Sequence, residues 1–568
     1  MDSLKWWQKA VFYQIYPRSY ADANGDGIGD LPGIISRLDY LQDLGIDAIW
    51  LSPHFPSPLC DCGYDVADYR GVAPEYGTLK DFERFLNEAH KRDIRLVLDL
   101  VLNHTSDQHP WFIESRSSKD NPRRDWYIWR KGQPGGLPPN NWYASFGGPA
   151  WEYDATTDEY YYHFFFKGQP DLNWRNPLVK QAMFDEARFW LDMGVDGFRL
   201  DAIGTIFEDP CLPNHVPEIS QKEYYRMART AKSLEEWQET SRIGEAMFVG
   251  QHDLPEVHDL MREFRQVVDE YSERVLIGET DEIAFYGKNN DELHLNFNFP
   301  LMRTPLITPA WVRVNQKERL PALPASAWPC NTLGNHDSPR VYNRFGDGSH
   351  NPAMARLNLA LLLTLKGTPF LYNGEEIGMD DFLIDDLSLF RDPLSPMVYN
   401  LETEWMGSDA TAALRYAAEN GRDKCRTPMA WANAANAGFC PAGVTPWLPV
   451  NPDYAHSTNV AEQISDPDSL LSFYKKMLHM RKANPALIWG EYQPLLEEST
   501  DFLAFLRIAP QQKCLVILNM SDKPQSIQPI PGVNLTKVIF SSHPNRLEEN
   551  KPASIQLAPF EVFIAEAL

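Results

Sequence analysis

Short apolar runs alternate along the chain with longer segments whose apolar residues recur at helical spacing. The runs 11–17 (VFYQIYP), 46–52 (IDAIWLS), 94–101 (IRLVLDLV), 195–203 (VDGFRLDAI), 275–279 (VLIGE), 330–334 and 369–372 (PFLY) have the length and composition of buried strands. Between them, 34–44 and 184–193 read as amphipathic helices. A third opens at the cap residue Thr78 and runs through Phe82, Phe85 and Leu86 to His90. Strand and helix in repeated succession predict parallel β/α units, and this many predict a closed (β/α)8 barrel of the α/β class.

The alternation lapses twice. Residues 104–173 are rich in Trp, Tyr, Gly and Pro and predict a lobe inserted after the third strand, over the barrel mouth. Residues 375–450 form a second irregular stretch on the same side. From 490 to 568, alternating segments such as 502–507 and 514–519 predict a C-terminal antiparallel β domain, drawn as a sandwich. The barrel would then occupy 1–103 and 174–489.

Composition narrows the function. The net charge of −25 argues against nucleic acid and anionic membrane surfaces as partners. With 17 Trp among 568 residues, aromatic faces are available for stacking on sugars. Seven cysteines do not form a disulfide framework, and Cys60 and Cys62 have no second pair at zinc spacing. The N-terminus has no signal-peptide pattern, and the longest apolar run, 357–365, is too short for a bilayer. The expected location is the cytoplasm.

Residues 22–30 (DANGDGIGD) follow the first strand. Asp22, Asn24, Asp26, the Ile28 carbonyl and Asp30 sit at the positions of an EF-hand's first oxygen ligands, with Gly27 at the sharp turn. The twelfth position is Gly33 rather than Glu. A structural Ca²⁺ or Mg²⁺ with fewer carboxylates is expected, against the alternative of an ion-free Asx turn.

Barrel chemistry gathers at the C-terminal strand ends. There the reading places Asn103 and His104, Asp201, Glu279, and His336 with Asp337. Arg199, two residues before Asp201, shares its face and favours its ionised form. A nearby anion and an apolar wall would raise the Glu279 pKa, as a general acid requires. Two carboxyls in unlike environments flanking one bond suit glycoside cleavage.

DLVLNH (99–104), GFRLDAI (197–203), IGET (277–280) and GNHD (334–337) resemble, in this order, the motifs of the α-amylase superfamily of glycoside hydrolases. The resemblance runs from VFYQIYPRSY at 11–20 to the C-terminal domain. QPDLNW (169–174) and GRDKCRTPMAW (421–431) resemble the oligo-1,6-glucosidase and α-glucosidase branch. It implies Asp201 as nucleophile, Glu279 as acid and base, and Asp337 as the group holding the 2- and 3-hydroxyls of the bound glucose. His104, Arg199 and His336 would bond the same sugar. Asp61 and Tyr64 would close the pocket end, with Arg426 and Arg422 completing the grip. Phe146, Phe165 and Gln169 would line the wall toward the aglycone. The 22–30 loop matches the branch's calcium or magnesium loop.

The branch tends to carry Val after the nucleophile in α-1,6 enzymes and smaller residues in α-1,4 enzymes. Ala202 therefore implies maltose-type substrates, with α-1,6 preference the alternative, since one side chain contributes only about 1–3 kcal/mol of discrimination. The resemblance thus implies an exo-acting retaining α-glucosidase with some transglucosylation, acting on small α-glucosides. Sucrose or trehalose isomerases and glucosyltransferases are rivals. The isomerases' Arg-rich RLDRD loop is missing from 314–329 (VNQKERLPALPASAWP). A silent transporter subunit would need a membrane helix and would have lost acids; neither feature is seen.

Overall fold

The structure is a computed structural model and describes residues 4–216, 219–543 and 554–568. Eight parallel strands form one sheet: β1 Phe12–Ile15, β2 Ala48–Leu51, β3 Arg95–Val101, β4 Gly197–Asp201, β5 Val275–Gly278, β6 Leu295–Asn296, β7 Cys330–Thr332 and β8 Thr368–Tyr372. They pair in chain order, and β8 returns to β1. A parallel bridge between Phe297 and Cys330 joins β6 to β7 and closes the barrel.

The period of two sorts each strand into two faces. Tyr13, Ile15, Ile49, Leu51, Leu98, Phe198, Leu200 and Leu276 pack outward into the main core. Phe12, Trp50, Val97, Ile277, Phe297 and Phe370 fill the interior. Toward the C-terminal ends the inward residues turn polar: Gln14, Ser52, Asp99, Arg199 and Asp201 are all buried there. An apolar floor thus carries a polar rim, and the rim is where a ligand can bind.

Three extensions stand on that rim. The first, after β3, contains a three-stranded antiparallel sheet with Glu159–Tyr162 between Trp129–Arg130 and Trp151–Asp154. The second follows β4 and contains helices Gln221–Thr230 and Leu234–Ala246. The third follows β8. The sequence reading treats it as irregular, but it includes helices Leu394–Leu401 and Ala410–Asn420.

At the C-terminus, five antiparallel strands form a sheet with Gln512–Asn519 at its centre. One face, with Leu503, Phe505, Val516 and Ile564, merges with the barrel core. The other is covered by Ile527, Ile555 and Leu557 of a two-stranded ribbon.

Thr78 caps Leu79–His90 as expected, accepting from Asp81 N. The helix expected over 34–44 is two helices, Leu31–Ile35 and Leu38–Leu44. Asp30 caps the first, and Ser36 Oγ donates to the Gly33 carbonyl at 2.6 Å, which competes with helix continuation. Among the described residues no helix is long and apolar enough to cross a membrane.

Candidate active site

The centre of the site follows from sheet register. Leu200 pairs with Gly278, so Asp201 and Glu279 are neighbours on adjacent strand ends. The amide of Glu279 donates to the Leu200 carbonyl at 3.0 Å, extending the ladder by one residue. Adjacent strands lie about 4.8 Å apart, so the two acids start side by side. One strand over, Asp99 pairs with Arg199.

Arg199 holds all three carboxylates. Its Nη1 lies 2.7 Å from Asp99 Oδ1 and 2.6 Å from Asp201 Oδ1, and its Nη2 lies 2.8 Å from Glu279 Oε1. The guanidinium also sits 5.0 Å from the Trp50 ring centre. Glu279 Oε2 accepts from Ala202 N at 3.0 Å. That amide is aimed by a left-handed turn: Ala202 has φ 44° and ψ 42°, a conformation that disfavours β-branched side chains.

Burial pushes the Asp99 carboxyl up to about 6 against the pull of Arg199. Burial and the neighbouring Glu279 also raise Asp201, with Arg199 opposing them. The Arg199 contact alone predicts an anionic Asp201; the shared guanidinium and the crowding of acids make the outcome a property of the cluster.

Asp337 behaves oppositely. Burial alone would raise its pKa, but His336, Arg426, Arg422 and Arg199 hold it well below the usual carboxylate range. Arg426 Nη2 donates to its Oδ1, and Arg422 Nη1 stands 3.6 Å away. His336 and His104 are buried, and desolvation lowers them to about 3 and 4, so both imidazoles are neutral. Gln14 Nε2 lies 2.7 Å from His336 Nδ1, and Tyr64 OH lies 2.6 Å from its Nε2.

The surroundings of Asp61 are polar. Arg422 Nη2 donates to Asp61 Oδ1 at 2.7 Å, and Gln169 Nε2 lies 3.1 Å from Asp61 Oδ2 and 2.9 Å from His104 Nε2. Gln169 is fully buried here, beside Asp61 and His104. The Tyr64 ring stacks on His336 at 5.5 Å, and its hydroxyl donates to Asp99 at 3.1 Å. Phe146 and Phe165 remain part-exposed above, with ring centres 5.7 Å apart.

Three residues here escape the sequence reading. Asp99 is a lone acid inside an apolar strand, a signal that was available. Gln14 is an inward polar residue of β1. Asp392 is fully buried and accepts from Arg422 Nε at 2.9 Å and Nη2 at 2.8 Å; nothing in its own sequence neighbourhood marks it. Cys60 and Cys62 flank Asp61, but burial raises their thiols to about 11 and 12, which leaves them unreactive.

The 22–30 loop is closed by its own hydrogen bonds. Asp22 accepts from Gly25 N at 2.6 Å and Gly27 N at 2.8 Å, and Asp26 accepts from Ile28 N at 2.8 Å. Asp30 accepts from the amides of Ala23, Asn24 and Gly33. Among the described residues no three His, Cys, Asp or Glu side chains are gathered to hold a metal ion. A cation here would depend on the Asn24 amide and the Ile28 carbonyl as much as on carboxylates.

Comparison with known proteins agrees with this geometry. A family model described as the alpha amylase catalytic domain matches residues 14–490. An oligo-1,6-glucosidase of Parageobacillus thermoglucosidasius is 41% identical, covering 98% of each chain. An alpha-glucosidase of Pediococcus pentosaceus is 39% identical over 88% of this chain and 89% of that one. The structure of an isomaltulose synthase mutant from Erwinia rhapontici in complex with sucrose superposes with a TM-score of 0.87 at 36% identity, covering 100% of both chains. The chain belongs to the alpha-amylase family of glycoside hydrolases, in its oligo-1,6-glucosidase and α-glucosidase branch.

Proposed function

We propose that this α-glucoside hydrolase removes single glucose units from short α-1,4-linked glucosides with retention of configuration. The observation that carries this reading is the pair Asp201 and Glu279, side by side on neighbouring strand ends and on one Arg199 fork. Retaining enzymes keep their two carboxyls about 5–5.5 Å apart, whereas inverting ones need room for a water.

In this mechanism Asp201 attacks the anomeric carbon and forms a β-glucosyl ester. Glu279 gives its proton to the departing oxygen, then takes one from the incoming water. Water attack frees glucose; attack by another sugar hydroxyl gives transglucosylation. Asp337, held anionic by two arginines, accepts hydrogen bonds from sugar hydroxyls. An Asp61–Arg422 pair closing the pocket base would favour action at the chain end.

Small Ala202 favours α-1,4 linkages, while the relatives include enzymes named for α-1,6 action. The likeness to an isomaltulose synthase supports glucosyl transfer as the second reading. Against an isomerase, the stretch 314–329 begins within helix Pro309–Ala322, and Arg319 is spent on the Asp281 and Phe297 carbonyls at 2.8 and 2.9 Å. A structural Ca²⁺ or Mg²⁺ held by Asp22, Asn24, Asp26, the Ile28 carbonyl and Asp30 belongs to the same proposal; hard cations take such all-oxygen donor sets. So does a cytoplasmic location, which the seven free cysteines suit.

The test is NMR of the first product from maltose, isomaltose and sucrose. The α-anomer of glucose, with maltose turned over fastest, is expected. Early β-glucose would overturn retention; disaccharide isomers exceeding free glucose would favour transfer. Asp201→Ala should abolish turnover, and near-normal turnover would remove the assigned chemistry.

A further inference from the structure

Two of the rim extensions meet. The one after β4 leaves at Ala202 and is tied at its base by Asp253 N, which donates to Gly204 O at 2.7 Å. The other follows β8. In a closed ring of eight strands in chain order, β4 and β8 are opposite one another. A direct contact between their extensions therefore links elements rooted on opposite sides of the rim.

The contact is built around Glu402, which is 1% exposed at the start of a π-helical turn, Glu402–Met406. Its Oε1 accepts from Tyr225 OH at 3.0 Å and Arg229 Nε at 3.1 Å, and its Oε2 from Ser408 Oγ at 2.8 Å. Arg226 Nη2 donates to the Trp405 carbonyl at 2.9 Å. The Arg229 guanidinium lies 4.0 Å over the Tyr416 ring, and Tyr225 meets Trp405 edge-on at 5.8 Å. A buried carboxylate is costly unless every oxygen is engaged, and here partners from both extensions engage it. The inserted lobe completes the ring. Asn141 Nδ2 donates to the His215 carbonyl at 2.7 Å, and Arg422 lies 5.8 Å from the Phe146 ring.

We propose that the Glu402 bridge sets the length of glucoside the enzyme accepts. The reading rests on the glucoside-hydrolase assignment above. On that reading Asp61 and Arg422 close the pocket base, and the departing part of the substrate projects toward the mouth. On this proposal the bridge, which joins extensions rooted at β4 and β8 on the rim, lies over that space. A short leaving group fits beneath it, and a longer one must open it. Because the bridge touches no reacting atom, it acts on entry of long substrates and leaves bond cleavage in short ones alone.

The experiment compares kcat/KM on maltose with maltohexaose, and on isomaltose with isomaltohexaose, for the full-length enzyme and its Glu402→Gln, Arg229→Met and Tyr225→Phe variants. The wild type should favour the disaccharide by about tenfold or more. Each variant should shrink that preference about threefold or more through a lower KM for the hexaose, with kcat on the disaccharide within about twofold of wild type. The Glu402→Gln/Arg229→Met double variant should add little to either single change, as expected of one shared interaction. An unchanged preference in variants that melt like the wild type would overturn the proposal, as would a wild type indifferent to length. If Glu402→Gln fails to fold, Tyr225→Phe removes only a hydroxyl and gives the same reading. A wild type inactive on both disaccharides would instead overturn the glucosidase reading, and the bridge proposal with it.

Discussion

Glu375 stands just beyond the end of β8, next to the site but outside its chemistry. It is buried, and its Oε1 has no hydrogen-bond partner among the described residues. Burial is the main cause that lifts its carboxyl from 4.5 to about 8; Glu376 adds to the rise and Arg340 opposes it. Glu376 beside it is already occupied, accepting from Tyr13 OH at 2.7 Å and Tyr40 OH at 2.8 Å. The perturbation is Glu375→Gln, which keeps the shape and removes the titration.

A raised folded-state pKa means the folded chain keeps a proton that the unfolded chain gives up. Below pH 4.5 both states are protonated and the group is neutral to folding. From there to about pH 8, the wild type loses stability as the unfolded chain ionises. Above pH 8 the loss levels off. At 1.36 kcal/mol per unit, the shift amounts to at most about 5 kcal/mol across that window. For a chain of this length, that corresponds to roughly 4 °C in melting temperature. The assay is thermal melting of both proteins from pH 4.5 to 9 at constant ionic strength. The variant-minus-wild-type difference should climb with pH and then flatten near pH 8. A flat or falling difference would show that Glu375 is not held neutral by burial, and the reasoning would fail.

Two shorter predictions follow from other contacts. Arg199→Lys can keep one of three carboxylate partners; losing two charge-assisted bonds, each about 1.5–3 kcal/mol, should lower kcat/KM on 4-nitrophenyl α-glucoside at least about a hundredfold. Activity within tenfold of wild type would show that the fork does not organise the acids. Removing divalent cations with a chelator should lower the melting temperature by several degrees, reversibly on adding Ca²⁺, with little change in kcat at 25 °C. An unchanged melting temperature in demetallated protein would dismiss the cation from the 22–30 loop.

The barrel was legible because its strands are buried on both faces and therefore read as apolar runs. β6 was not, since only Leu295 and Asn296 form it. Its signal was the alternation of Leu293, Leu295, Phe297 and Phe299, too short to separate from a loop. Asp201 and Glu279 could be read as a pair because parallel register brings successive strand ends together. Contacts such as Arg422 with Asp61, 361 residues apart, have no such rule behind them. They depend on how extensions from different strands fold back over the rim. The same limit hides Asp392 and the Glu402 bridge, whose partners lie on separate extensions. For Gln169 the motif marks it as part of the site, but only the fold shows that it bonds Asp61 and His104.

The ratio of arginines to acids divides the pocket into two halves with different abilities. Around Arg199, three carboxylates share one cation, and full ionisation would leave two uncompensated charges in a buried cluster. That costs several kcal/mol per ion, the same penalty that raises Asp99 and Asp201. Around Arg422 and Arg426, two cations serve Asp61, Asp337 and Asp392, and Asp337 and Asp392 are both held below the usual carboxylate range. On the proposed mechanism one acid of the first half gives its proton to the departing oxygen while an ionised neighbour attacks the anomeric carbon. In the second half Asp337 and Asp392 are thus kept anionic, and an anionic Asp337 is suited to accepting hydrogen bonds from hydroxyls. On the proposed reading, a sugar that spans both halves would have its bond to the leaving group beside Asp201 and Glu279 and its ring hydroxyls on Asp337.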